Sequence, residues 1–383
     1  MSKTTGKYSR VIKDIAFALI LLLCLVIANQ VFQRKDNVVK YEQFYKEDEP
    51  FDILFFGSSR VLYTFQPMEL WGKYGIRSYN MAQHSEGLGR DYWQLKNALE
   101  YNKPNLVVLD VSLFHGGYEV NEESEESRAG LHGQIDHMPM SKTKYEIVRE
   151  LAPESLYLEY FSPFILYHNR WSQLTADDFY HDANLRYGAD ILNGIEPQER
   201  IAWSEEAYAE DFDPEAYNLD KMIALCREEN IPLLFICMPC SENEGAFGTL
   251  NCFGQYFDSQ DIPYLNIAKE EDFLDYEFDF SDSSHVNMAG GLKLTDYIGK
   301  YYIDHYRISQ VSEQTGTKWD QAYAKYKEYK EEIIVCAKDN PELLKLAVYA
   351  DSDYVMEEEQ SQIRVFRQGE SEPFVVYGEA DGK

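Results

Sequence analysis

The run Asn105-Leu106-Val107-Val108-Leu109-Asp110-Val111 constrains this chain more than any other segment. Its apolar residues are nearly continuous instead of alternating, so a strand here must be buried on both faces. Such strands belong to parallel sheets, whose crossover connections lay helices on each side. The run Phe51-Asp52-Ile53-Leu54-Phe55-Phe56, which ends at Gly57, has the same character. Around these two, helix-like and strand-like patterns alternate. A helix is expected at 67–74, an apolar run at 76–82 and a helix at 89–101. Later come a helix at 214–229, a strand at 232–237, a helix at 245–258, a short strand at 262–267 and a closing helix at 287–306. This rhythm predicts an α/β domain whose parallel sheet is covered by helices on both faces and binds ligands at the carboxyl ends of its strands.

Two stretches break the rhythm. Residues 113–205, rich in Tyr, His and Glu, read as a long helical insertion after the third strand. Residues 313–383 read as a small appendage, with a helix at 319–338 and short strands at 344–349, 362–366 and 374–377. Ahead of the sheet, residues 15–28 are all apolar or Cys, and the run reaches Phe32 across Asn29 and Gln30 to make 18 residues. That is the short end of the roughly 17–25 needed to cross a bilayer as a helix. Lys3, Lys7, Arg10 and Lys13 precede it, so the positive-inside bias puts the N-terminus in the cytoplasm and everything after Phe32 outside the cell membrane. The alternative is a cleaved signal peptide, with Val26-Ile27-Ala28 as the cleavage site. Lipidation at Cys24 does not fit, because Leu23 stands where a small residue is required. The expected division is a tail and transmembrane anchor at 1–35, an α/β domain at 36–312 and the appendage at 313–383, with a charged connector at 34–49 across the first boundary.

The 383 residues carry a formal charge of −30. Residues 1–35 hold six cations against Asp14, a net +5, which leaves −35 for the remainder. So acidic a body repels phosphate, which argues against nucleic acid or an anionic membrane surface as its partner. Six cysteines are present. Cys237-Met238-Pro239-Cys240 has redox or metal spacing, but no second CxxC or His pair completes a ligand set, so buried thiols or one disulfide are the plainer expectation. The His residues are scattered, the Glu122, Glu123, Glu125 and Glu126 run lacks the spacing of a calcium loop, and no P-loop or GxGxxG is present. Neither a metal nor a cofactor is expected.

Acyl transfer through serine needs an exposed hydroxyl at a strand end, an imidazole to take its proton, and a carboxylate to hold that imidazole in one tautomer. Gly57-Ser58-Ser59-Arg60 directly follows the first strand, where glycine permits a tight turn. Asp282-Ser283-Ser284-His285 lies just before the closing helix, and its D-x-x-H spacing on a loop lets both side chains face one cleft. Taken singly, each has a plainer reading: a serine capping the following segment, a histidine capping the last helix.

In order and context these blocks resemble the SGNH, or GDSL-like, hydrolase superfamily. The resemblance implies a three-layer, flavodoxin-like α/β sandwich with Gly-x-Ser after the first strand and Asp-x-x-His in the last loop, over residues 51–112 and 214–306. It makes Ser59 the nucleophile, His285 the base and Asp282 its orienting acid, and it matches Asn287 and Gly290-Gly291 at the start of the closing helix. Tyr79-Asn80-Met81-Ala82-Gln83-His84-Ser85 looks like the second block with Ser85 in the place of a glycine, which implies an oxyanion hole from the backbone N–H groups of Ser59 and Ser85. The third-block Asn is missing: Ser112-Leu113-Phe114-His115 stands there, leaving His84, Gln83 or Ser112 as side-chain replacements. The chain is further similar to membrane-anchored members that modify envelope polymers, such as the D-alanyl transfer protein of teichoic acid synthesis and alginate-acetylation proteins. That likeness implies an acylated envelope glycan or polymer as substrate and an MBOAT-type membrane acyltransferase as partner. His84, and in the insertion His168 and Arg170, are the candidate substrate-binding residues, and Asp136-His137-Met138-Pro139-Met140-Ser141 resembles a segment of such proteins. Esterase and O-acyltransferase both remain open, as does a noncatalytic binding subunit on the same fold. A redox protein using Cys237 and Cys240 is the remaining, weaker alternative.

Overall fold

The computed structural model describes residues 2–85, 87–114, 124–181, 184–239, 244–270, 273–359 and 362–378. In chain order the helices are α1 (Ser2–Phe32), α2 (Lys35–Tyr45), α3 (Ser59–Leu62), α4 (Pro67–Tyr74), α5 (Leu88–Tyr101), α6 (Glu125–Ile135), α7 (Lys142–Leu151), α8 (Tyr157–Phe161), α9 (Pro163–Tyr167), α10 (Leu219–Glu229), α11 (Glu244–Ser259), α12 (Met288–His305), α13 (Glu313–Cys336) and α14 (Pro341–Tyr349). The strands are β1 (Ile53–Phe56), β2 (Ser78–Asn80), β3 (Leu106–Asp110), β4 (Leu233–Cys237), β5 (Tyr264–Asn266), β6 (Tyr354–Glu359), β7 (Gln362–Arg367) and β8 (Val375–Tyr377). The chain forms two compact units, Met1–Glu42 with Glu119–Ala183 and Gln43–Tyr118 with Asn184–Lys383.

The second unit is an α/β sandwich. Its five strands are all parallel, in the order β2-β1-β3-β4-β5 of the flavodoxin-like doubly wound sheets. Ile53, Phe55, Leu106, Val108, Leu234 and Ile236 alternate onto one face, where they pack with Val61, Leu70, Leu294 and Ile298 from α3, α4 and α12. Onto the other face Phe235 stacks on Phe257 of α11, with ring centroids 3.9 Å apart, and α10 packs on α5 there. Because every strand runs the same way, the carboxyl ends of β1, β2, β3 and β4 share one edge of the sheet.

Four expectations are corrected. Residues 344–349 belong to a helix: Pro341 sits in its first turn, the Asn340 side chain accepts from the Leu343 N–H, and Leu344, Ala347 and Val348 recur at helical spacing on the buried side. The third strand of the appendage is instead β6, and β6, β7 and β8 pair as an antiparallel sheet. Residues 35–45, expected as connector, form α2, because Tyr41 and Phe44 are buried. Residues 184–198, expected in the insertion, belong to the sheet unit, tied to it by Asn80 N to Tyr187 O, Asp190 N to Leu62 O, Glu196 N to Phe280 O and Met288 N to Leu192 O. Cys240, His115, Glu122 and Glu123 lie outside the described residues, as do the side chains of Glu125 and Glu126. Cys237 is buried at the end of β4.

The appendage packs on the sandwich through α13. Trp319 is 0 % exposed and meets Trp71 of α4, Phe51 and Tyr187 at centroid distances of 5.4, 6.2 and 4.3 Å. Nearby, the Lys330 ammonium pairs with Glu69 at 2.6 Å and Asp351 at 3.4 Å. Replacing Trp319 with Ala empties this aromatic nest and costs about 3–5 kcal/mol of stability. A denaturant titration of the full chain measures it, and an unchanged midpoint would show that the appendage is only loosely docked.

Candidate active site

β1 ends at Phe56 and the chain turns sharply at Gly57, whose φ of +140° lies where L side chains are strained. A Cβ there would stand 2.8 Å from Val61 Cγ2 and 3.1 Å from Asp110 Cβ, so the turn requires glycine twice over. The next residue is the cap: the Ser58 hydroxyl accepts from the Arg60 N–H and opens α3. Ser59 is thereby the first residue of the helix, with its hydroxyl free of capping duty.

The loop before α12 folds as a narrow β-turn-like strap. Phe280 bridges Val286, and the His285 carbonyl accepts from Ser281 N at 2.9 Å. Inside it the Asp282 carboxylate accepts from the backbone N–H groups of Ser284 and His285 at 2.8 and 2.9 Å, which draws Asp282 and His285 to the same side. Here too the neighbour is the cap: the Asn287 side chain accepts from Ala289 N and Gly290 N, while its amide donates to the Phe278 carbonyl.

These two segments bring the three expected residues together. Ser59 Oγ and His285 Nε2 are 2.7 Å apart, and His285 Nδ1 is 2.9 Å from both Asp282 oxygens. Partial burial favours the neutral acid at Asp282, but the imidazole and the two backbone N–H groups outweigh it and hold the carboxyl below its ordinary range. An ionised Asp282 only accepts hydrogen bonds, so Nδ1 carries the ring proton and Nε2 presents a lone pair to the Ser59 hydroxyl. The His285 side chain is 21 % exposed and Asp282 44 %, so the relay opens to solvent.

The surrounding residues brace the turn that carries Ser59. Asn80, at the end of β2 and 0 % exposed, donates to the carbonyls of Val61 and Phe65 at 2.9 and 3.0 Å and so pins α3 and the turn after it. Gln83 N donates to the Gly57 carbonyl. Asp110, at the end of β3, accepts from Ser112 Oγ at 2.6 Å, Ser112 N at 3.0 Å and Met238 N at 3.2 Å, while Arg60 donates to the Ser112 carbonyl at 2.9 Å. Burial raises the Asp110 carboxyl above its ordinary value, against the pull of those donors and of the Arg60 charge. The Tyr63 ring stands edge-on to His285 at 5.4 Å and meets His84 at 5.6 Å. The sequence reading missed Tyr63 and the role of Asp110; a lone acid inside the apolar run 106–111 was the available signal for the second.

Of the proposed oxyanion groups, Ser85 has a φ of +54°, the left-handed region that glycine occupies without strain, so the backbone keeps the glycine-like form. Ser112 is not a free donor, since its hydroxyl is given to Asp110. His84 is exposed beside Tyr63 and Gln83 is buried. His168 and Arg170 fall in the other unit, where His168 Nδ1 is bonded to the Ile165 carbonyl and the Arg170 guanidinium to the Phe32 carbonyl and the Asp178 carboxylate. In that unit His137 is buried and stacks on Tyr41, Lys144 donates to the Met138 carbonyl, and Ser141 caps α7, so the 136–141 segment serves packing.

Neither a protein-family model nor a curated protein matches the sequence. Among solved structures, one from Desulfitobacterium hafniense DCB-2, assigned to the G-D-S-L family of lipolytic proteins, is similar at 11% identity and a TM-score of 0.31. The match covers 65% of this chain and 97% of that one. A likeness so distant carries no argument about chemistry, which rests on the geometry of the site.

Two outcomes are expected. Asn80→Ala strips donors from buried carbonyls and destabilises the protein by about 1–3 kcal/mol, read from chemical melts. Asp282 has a depressed value, so its stabilising contribution is full above the ordinary carboxylate range and is lost as pH falls through the lowered value. The stability gap between wild type and Asp282→Asn therefore narrows only at acid pH, and a gap independent of pH would contradict this.

Proposed function

We propose that this protein is a serine acyl-transfer enzyme of SGNH type, held outside the cell membrane by α1 and acting on an acylated envelope polymer. The observation that carries the reading is the continuous hydrogen-bonded relay from Ser59 through His285 to an ionised Asp282, set at the carboxyl edge of a parallel sheet. Ser59 Oγ attacks the acyl carbonyl carbon as its proton passes to His285 Nε2, and Asp282 stabilises the imidazolium that forms. The backbone N–H groups of Ser59 and Ser85 are assigned to the oxyanion. Collapse of the tetrahedral intermediate breaks the bond to the leaving alkoxide, which takes the proton from Nε2 and leaves an acyl-Ser59. Water in an esterase cycle, or a sugar or polyol hydroxyl in an O-acyl transfer, then attacks the acyl carbon as His285 takes its proton; the bond from the acyl carbon to Ser59 Oγ breaks and His285 returns the proton to Oγ.

The open setting of the relay favours a substrate whose acyl group projects from a bulky polymer. Arg10–Phe32 is long and apolar enough to cross a membrane, which supports an anchored enzyme with the sheet unit outside. An MBOAT-type membrane acyltransferase is then a suitable donor of acyl groups, by analogy with similar envelope systems.

The loss of a third oxyanion donor, with Ser112 committed to Asp110, favours a second reading: a fold kept for binding, with no acyl intermediate. A fluorophosphonate probe separates the two. Labelling of wild type that disappears in Ser59→Ala and His285→Ala is the expected result, with Asp282→Asn slower by about 10³–10⁴. An unlabelled, folded wild type would favour the binding subunit.

A further inference from the structure

The stretch Arg10–Phe32 is 23 residues long and contains an 18-residue run with a mean hydropathy of 2.7, none of which is buried within the protein. At 1.5 Å per residue it spans about 34 Å, close to the roughly 30 Å of a bilayer's hydrocarbon core. If α1 crosses the membrane, its last turn stands where hydrocarbon gives way to headgroups.

That turn is gripped by the insertion. Asn29 Oδ1 accepts from Ser162 Oγ and from Phe164 N, both at 2.9 Å. The Phe32 ring meets the Phe164 ring edge-on at 5.3 Å, Arg170 Nη1 donates to the Phe32 carbonyl at 2.6 Å, and Gln33 Nε2 donates to the Asp136 carbonyl at 2.9 Å. Five contacts from three parts of the insertion fix its depth relative to the span. Arg170 also holds Asp178 at 3.1 Å, which carries the ordering on to the next residues.

On the segment so fixed, large apolar side chains are left uncovered. Leu158 is 70% exposed, Ile165 45%, Trp171 73%, Phe179 54% and Tyr180 85%. Ile165 directly follows the anchored Phe164, Trp171 follows the anchored Arg170, and Phe179 and Tyr180 follow the anchored Asp178. Solvated apolar surface costs about 25 cal/mol per Å² relative to burial, and Trp and Tyr are the residues that membrane interfaces favour.

We propose that residues 157–180 form an interfacial docking surface that lies in the headgroup layer beside the outer end of α1, with lipid as its occupant. The proposal rests on α1 spanning the membrane. Attraction is apolar, since the body of the chain is acidic and gains nothing from an anionic surface. The insertion thus holds the emerging chain at a fixed depth.

Trp171 is the exposed one of five tryptophans, which gives a direct readout. Full-length protein is reconstituted into phosphatidylcholine vesicles, plain or brominated at shallow or deep acyl positions, and its tryptophan emission is measured after flotation. Emission is expected to fall with shallow bromines, less with deep ones, and the fall is expected to vanish in Trp171→Phe. Protein that floats but emits equally in plain and brominated vesicles overturns the lipid surface and leaves the span intact, pointing to a protein partner at Trp171. Quenching that persists in Trp171→Phe overturns it as well. Protein that fails to float removes the span and this surface together.

Discussion

The site depends on one close approach, that of α12 to the chain leaving α3. Gly291 brings the first turn of α12 so near that a Cβ there would lie 3.1 Å from both the Tyr63 and Thr64 carbonyls. One turn later Thr295 Oγ1 donates to the Thr64 carbonyl at 2.9 Å and accepts from Gln66 N at 3.1 Å. Ser59 hangs from one side of this contact and His285 from the other. Two side chains 226 residues apart therefore reach 2.7 Å through a backbone seam, which is stiffer than any pair of flexible side chains.

Labour is divided between neighbouring residues. Ser58 and Asn287 cap their helices, and the hydroxyl of Ser59 and the ring of His285 are left to face each other. Asp282 is charged because its backbone as well as its partner donates to it, so the tautomer of His285 follows from the fold of a four-residue loop. Asp110 performs a related service beside the Gly57 turn, joining the ends of β3 and β4 and taking up Ser112. The same bond removes the side chain that stood where a further oxyanion donor was expected.

The sheet and the D-x-x-H loop were legible because their signals are local. A continuous apolar run must be buried on both faces, and a glycine directly after it marks a turn that other residues enter only with strain. The failures were local signals overruled by packing. The pattern at 344–349 suits a short buried strand as well as a helix, and Pro341 with Asn340 settles it by starting a helix just upstream. The charged composition of 35–45 hid Tyr41 and Phe44, two side chains enough to fix a helix. His168 and Arg170 belong to the other unit, where the fold gives Arg170 to the Phe32 carbonyl and Asp178.

By itself the sequence determined the class of fold, the strand after which Ser59 stands, the loop that carries Asp282 and His285, and a helix long enough for a membrane. Each follows from residue type and spacing within about ten residues, where hydrophobic period and backbone permission act alone. Tertiary structure decided which serine caps and which meets His285, what Ser112 and Asp110 do, and that the insertion seizes the end of α1. Those outcomes depend on partners far away in the chain, and no local pattern records where a hydrogen bond will find its other half.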